Sequence, residues 1–121
     1  MLKVLIVDDS PAQVLNFCRI VEQAGHKPLV AHSGEQAIEL AHEEKPQLIL
    51  MDIIMPGMNG YQATRRLSRD ERTRDIPVIM VSSRSSETDR AWGMRQGARD
   101  YITKPVDENT LLNAISGAIA A

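Results

Sequence analysis

Residues 2–11 read LKVLIVDDSP. From 2 to 7 the run is apolar apart from Lys3, which is the pattern of a strand covered on both faces; a half-exposed strand would alternate. Asp8 and Asp9 fall at the strand's carboxyl end. Ser10 can cap a following helix, and Pro11 suits its first position, where a missing N–H costs nothing. A covered strand that passes through two acids into a helix start is the opening of a βα unit, and parallel strands need such crossovers.

The same unit recurs along the chain. β-Branched and aliphatic runs lie at 27–31, 48–51, 78–81 and, more weakly, 101–103, with segments of helical period between them. The first helix carries a stripe of Val14, Phe17, Cys18, Val21 and Ala24 and stops at Gly25. The second follows Ser33, which forms a capping-box pattern with Gln36, and buries Ala37, Ile38 and Ala41. The third covers 60–69 and has a strongly polar outer face, and Pro77 opens the fourth strand. The fourth helix starts near Ser86, with Asp89 three residues on, and finishes by Gly97. Its stripe is thin, chiefly Ala91, Trp92 and Met94, so it is expected to be the most loosely anchored. Asp107 caps the fifth, whose stripe is Leu111, Leu112, Ile115 and Ile119. Five such alternations predict an α/β fold: a five-stranded parallel sheet, doubly wound, with five helices. Right-handed crossovers leave few strand orders, of which the flavodoxin-like 2-1-3-4-5 suits five units.

With 121 residues, the expectation is a single domain over 1–121 and no output domain. Hydrophobic residues at 43% and charged residues at 25% exclude disorder and fibrous repeats. A net charge of -2, with basic residues scattered among acids, argues against a nucleic-acid partner. Cys18 is the only cysteine, so no intramolecular disulfide and no CxxC metal site is available, and its plain reading is a small core hydrophobe. No apolar segment is long enough to span a bilayer and no basic leader precedes the first strand, so a cytoplasmic location without membrane insertion is expected. His26, His32 and His42 lack metal-like spacing and read as solvated surface groups.

The polar residues that matter gather at strand ends. Asp8 and Asp9 follow the first strand, Asp52 the third, Ser82 and Ser83 the fourth, and Lys104 the fifth. Open α/β sheets bind ligands in the crevice outside those carboxyl ends, at the point where the strand order reverses, so the three aspartates are expected to converge there. Several hard oxygen ligands in one place suit Mg²⁺. With a cation, a lysine and a hydroxyl beside it, the Asp52 carboxylate can attack phosphorus and form an acyl phosphate. Ser82 and Lys104 would then gain contacts only in the modified state, which is what a switch requires.

Four ordered motifs, LIVDDS at 5–10, LMDIIMPGMNG at 50–60, IMVSS at 79–83 and YITKP at 101–105, resemble those of the response-regulator receiver domain, and the resemblance covers nearly the whole chain. It implies that Asp52 is the phosphoacceptor. It implies that Asp9, Asp52 and the backbone carbonyl of Ile54 bind Mg²⁺, with Asp8 assisting through water. Ser82 becomes the switch hydroxyl, Tyr101 the switch aromatic and Lys104 the phosphate-sensing cation. The stretch at 87–112 is similar to PilH-type single-domain regulators of pilus-driven twitching motility, themselves similar to CheY. That likeness implies a CheA-like histidine kinase as phosphodonor and a downstream motility protein as target. Self-catalysed phosphorylation and dephosphorylation would be the only chemistry, so no enzyme in the usual sense is expected.

Departures from the pattern are few. Serine at 82 keeps the hydroxyl of the commoner threonine, whereas Ile54 and Arg84 replace polar or acidic residues found in CheY-like relatives. The Lys104–Pro105 bond is expected to be cis on the same resemblance. Pro56, Gly57 and Gly60 form a turn at the pocket rim, since neither a Walker pattern nor GxGxxG is present. Trp92 is read as core packing on the fourth helix, with a partner contact as the alternative. Tyr101 can swing inward as Ser82 moves, altering a partner surface of the fourth helix, fifth strand and fifth helix that includes Glu87, Arg90 and Met94. The alternatives are a phosphate sink for the kinase and a haloacid-dehalogenase-like phosphohydrolase. The latter wants a DxD motif after the first strand, and none occurs.

Overall fold

The computed structural model describes residues 2–120. In chain order it comprises β1 (Lys3–Val7), α1 (Pro11–Gln23), β2 (Lys27–Ala31), α2 (Gly34–Glu44), β3 (Leu48–Met51), α3 (Gly60–Arg69), β4 (Val78–Ser82), α4 (Glu87–Arg95), β5 (Asp100–Thr103) and α5 (Glu108–Ala120). The strands form one parallel sheet in the order β2-β1-β3-β4-β5, as the alternation predicts. β3 and β4 are buried along their whole length and β1 after Lys3, which is why these runs are almost continuously apolar.

Helices cover both faces. On one side Ala37, Ala41, Ala63 and Leu67 of α2 and α3 pack on Leu5, Val7, Ile49, Met51 and Met80. On the other, Phe17, Ile20 and Val21 of α1 join Leu111 and Ile115 of α5 over Val4, Ile6, Leu48, Leu50 and Val81. Among the described residues no helix is long and apolar enough to cross a membrane.

Several local expectations change. Ile20 takes the inward place on α1, while Cys18 is only half-buried and Ala24, the C-cap, is exposed. Ser10 stands at the N-cap of α1 without a side-chain cap bond; its N–H instead donates to Asp8 Oδ1 at 2.9 Å. Gln36 donates its N–H to Ser33 Oγ at 3.1 Å, but its side-chain oxygen accepts from His32 N at 2.8 Å, so the reciprocal half of the box shifts back by one residue. A complete capping box forms elsewhere: Gln62 N–H donates to Asn59 Oδ1 and Asn59 N–H to Gln62 Oε1, at 2.9 and 3.0 Å. His42 is half-buried against Asp70, with Nε2 2.8 Å from Oδ2, and so is not a purely solvated group.

The largest correction concerns α4. Ala91, Trp92 and Met94 are all exposed, and the only buried residue of the helix is Gly93. The helix seats by close approach instead of an apolar stripe. A Cβ at Gly93 would lie 2.7 Å from Met80 Sδ and 3.2 Å from the Tyr101 ring. Trp92 lies edge-on to Tyr61 of α3, with ring centroids 6.5 Å apart. On α5 the inward positions are Leu111, Ile115 and Ala118, with Leu112 and Ile119 half-buried, and Asp107 caps the helix by accepting from Thr110 N–H at 3.1 Å.

Candidate functional site

Strand register brings the acids together. β1 and β3 are neighbours with Val7 opposite Met51, so the next residues, Asp8 and Asp52, emerge side by side from the carboxyl edge. Main-chain bonds fix both: Asp52 N–H donates to Val7 O at 2.9 Å, and Asp8 N–H to Ala31 O at 3.2 Å. The order reverses here, with β2 on one side of β1 and β3 to β5 on the other. Asp8, Asp9 and Asp52 each offer an oxygen within 4.8 Å of the others; Asp8 and Asp52 are buried and Asp9 is exposed.

Gly60 sets how closely α3 can start behind this edge. Its N–H donates to Ile53 O at 2.8 Å, and a Cβ there would collide with the Asp52 carbonyl oxygen. Only glycine allows that approach, a constraint deeper than the rim role read from the sequence.

Lys104 reaches the acids from just beyond β5, where its N–H donates to Ser82 O at 2.8 Å and the Lys104–Pro105 bond is cis. Its Nζ donates to Asp8 Oδ2 at 2.9 Å and Asp52 Oδ1 at 3.2 Å. One ammonium therefore serves two buried carboxylates. Burial first, and then Asp8, push the Asp52 carboxyl above its usual range, against the opposing pull of Lys104. Burial also disfavours the Lys104 ammonium, but hydrogen bonds and attraction to Asp8 and Asp52 outweigh it and raise its pKa. Three carboxylates facing a single ammonium leave negative charge uncompensated, and hard oxygen donors in that arrangement suit Mg²⁺.

The acids open into a cleft of about 560 Å³ that is also lined by Ser10, Gln13, Ile54, Ser83, Lys104 and Pro105. Ile54 stands at its mouth with 55% exposure. Ser82 is buried at the end of β4 and does not line the cleft; its Oγ accepts from Arg84 N–H at 3.2 Å. Ser83 lines it instead. Gln13 and Ser10 were not expected there, although the clue was present: Pro11 starts α1 so soon after Asp9 that its first turn borders the acids.

Tyr101 is buried, not part of a surface. Its hydroxyl donates to Arg84 O at 2.6 Å, and Gly93 abuts its ring. Arg90 holds it from outside: Nη1 donates to Tyr101 O at 3.0 Å, and the guanidinium lies 5.3 Å from the ring centroid. Of the residues expected on the partner surface, Glu87 and Met94 are exposed, Arg90 is exposed but anchored, and Tyr101 is interior.

A family model described as the response regulator receiver domain matches residues 4–116. The chain is 52% identical over 120 residues to Protein PilH of Pseudomonas aeruginosa, an alignment covering 99% of both. Its fold superposes on the Vibrio cholerae chemotaxis protein CheY4 with a TM-score of 0.92 at 26% identity, covering 98% of each chain. It superposes equally, at 27% identity over 99% of this chain and 98% of the other, on the receiver domain of sensor histidine kinase PA1611 from Pseudomonas aeruginosa, a structure with a magnesium ion coordinated in its active site cleft.

Proposed function

The chain belongs to the response regulator receiver domain family, and from that premise we propose that it is a single-domain regulator that accepts a phosphoryl group on Asp52 from a histidine kinase and signals by protein contact. The near-complete mutual coverage with PilH supports the single-domain reading and a place in pilus-driven or chemotaxis-like motility, with a CheA-like donor, a motility protein as target and a cytoplasmic location.

In the proposed transfer a carboxylate oxygen of Asp52 attacks phosphorus, the P–N bond of the phosphohistidine breaks, and its electron pair stays on the imidazole nitrogen, which takes up a proton. Asp8, Asp9, Asp52 and the Ile54 carbonyl would hold Mg²⁺, which when bound neutralises charge on the transferred oxygens. Lys104 already touches Asp52 and can follow the new charge onto a phosphoryl oxygen. Ser82 accepts a bond from Arg84 and keeps its own hydroxyl proton to donate to that oxygen. Such a donation would draw on the β4–α4 loop, whose Arg84 carbonyl is bonded to Tyr101, and so couples phosphate to α4 and β5.

The observation that carries this reading is the Lys104 ammonium bridging Asp8 and Asp52 beside a third carboxylate. A radiolabelled histidine kinase tests it. Label should pass to the wild type and not to Asp52→Asn, while transfer to an otherwise identical variant with Lys104→Ala should leave a phospho-protein that no longer gains affinity for its target. Equal labelling of Asp52→Asn would contradict the assignment.

A further inference from the structure

The outer faces of α2 and α3 carry opposite charge, each of a single sign. On α2, Glu35, Glu39 and Glu43 recur every four residues, all exposed and on the side away from buried Ala37 and Ala41. On α3, Arg65, Arg66 and Arg69 are exposed opposite buried Ala63 and Leu67. Among the described residues none of the six takes part in an ion pair, although the two helices are packed side by side. Like charges three and four residues apart repel within each helix, and an opposite stripe would relieve that repulsion.

We propose that these stripes form a self-complementary surface on which a second copy of this chain docks. α2 and α3 each follow a strand of one parallel sheet and therefore run in the same direction. A two-fold axis parallel to them, lying above the groove between them, places α2 of each copy along α3 of the other. Glu39 and Glu43 of one stripe then lie level with Arg65, Arg66 and Arg69 of its mate, twice over, as an isologous contact demands, while Glu35 at the start of α2 extends the acidic stripe towards the carboxyl edge of the sheet. An axis at right angles to the helices in the same plane would set like on like. The net charge of -2 does not hold copies far apart. Exposed ion pairs are individually weak, so the contact is transient and salt-sensitive, with charge pattern providing register more than strength. The cleft at the carboxyl edge of the sheet stays open in this arrangement.

Sedimentation of the full chain from about 10 µM to about 1 mM reads the dimer directly. Two variants complete the test: Glu35→Arg/Glu39→Arg/Glu43→Arg and Arg65→Glu/Arg66→Glu/Arg69→Glu, each checked for folding by circular dichroism. The wild type should dimerise, with its dissociation constant rising about tenfold or more between roughly 50 and 500 mM salt. Each variant alone should associate at least about tenfold more weakly, because both of its stripes then share one sign. The equimolar mixture should regain dimer to within about threefold of the wild type, since each stripe again meets its opposite. A wild type that stays monomeric throughout, as it would if the stripes served only solvation or a different acidic partner, overturns the proposal. So do variants that associate like the wild type, or a mixture no better than its parts.

Discussion

Ile54 is where a single side chain tunes the proposed chemistry. It lies two residues beyond Asp52, lines the cleft and is more than half exposed, yet its side chain offers no polar atom to orient an attacking water. Ile54→Asn should therefore shorten the lifetime of the phospho-protein severalfold, because an amide can orient the attacking water by hydrogen bonding although it takes no proton from it. Decay of phosphate followed in the two proteins checks this, and identical lifetimes would contradict it. At this scale the acids and Lys104 were legible because each ends a buried apolar run, so topology alone converges them. Ser82 was less so: the sequence places it at the right strand end but cannot say that its hydroxyl is engaged with Arg84 while Ser83 borders the cleft.

Helices are positioned by two glycines whose demands differ. At Gly60 an added Cβ meets the Asp52 carbonyl, which is backbone and cannot yield, whereas at Gly93 the nearest atom is the flexible Met80 thioether. Gly60→Ala should cost at least ~3 kcal/mol and Gly93→Ala ~1–2 kcal/mol in urea denaturation, with Mg²⁺ binding weakened by the first far more than by the second. Two neutral substitutions, or the reverse order, would refute this account. α4 is also tied to α3 through Tyr61, whose hydroxyl donates to Asp89 O and Oδ1 at 3.2 and 3.3 Å. Burial, then the neighbouring Tyr101 and Asp89, push that phenol up from 10.0 to about 12. The native state thus holds the proton more tightly than the unfolded chain. The resulting stability is complete below pH 10 and is lost as pH rises from 10 towards about 12. Urea midpoints measured across that window should fall more steeply for the wild type than for Tyr61→Phe; parallel curves would count against it. The α4 error has the same origin as these contacts. Periodicity counts apolar residues, so a helix seated by the absence of a side chain at Gly93 gives no signal, and Trp92, for which the pattern favours the core over a partner contact, is 44% exposed.

Across the whole molecule, the strand order was readable because five covered strands joined by right-handed helical crossovers admit few arrangements. The interior position of Tyr101 was not, since it depends on three distant groups, Arg84, Arg90 and Gly93, closing around one ring. That closure links the proposed phosphorylation site to the surface of α4 and β5. Tyr101→Ala should accordingly accept phosphate normally while binding a phosphorylation-dependent target about tenfold more weakly, the size of a typical coupling between two sites. Unchanged affinity would show that the ring takes no part in output. The central claim is that Asp52 takes the phosphoryl group with help from a cation held by Asp8 and Asp9. Its most direct test is the intact mass of the protein after incubation with a small phosphodonor, with Mg²⁺ or with excess chelator, alongside Asp52→Asn. The account predicts one added phosphoryl group on the wild type with Mg²⁺ and none in the other two cases; an unmodified wild type, or an equally modified Asp52→Asn, would contradict it.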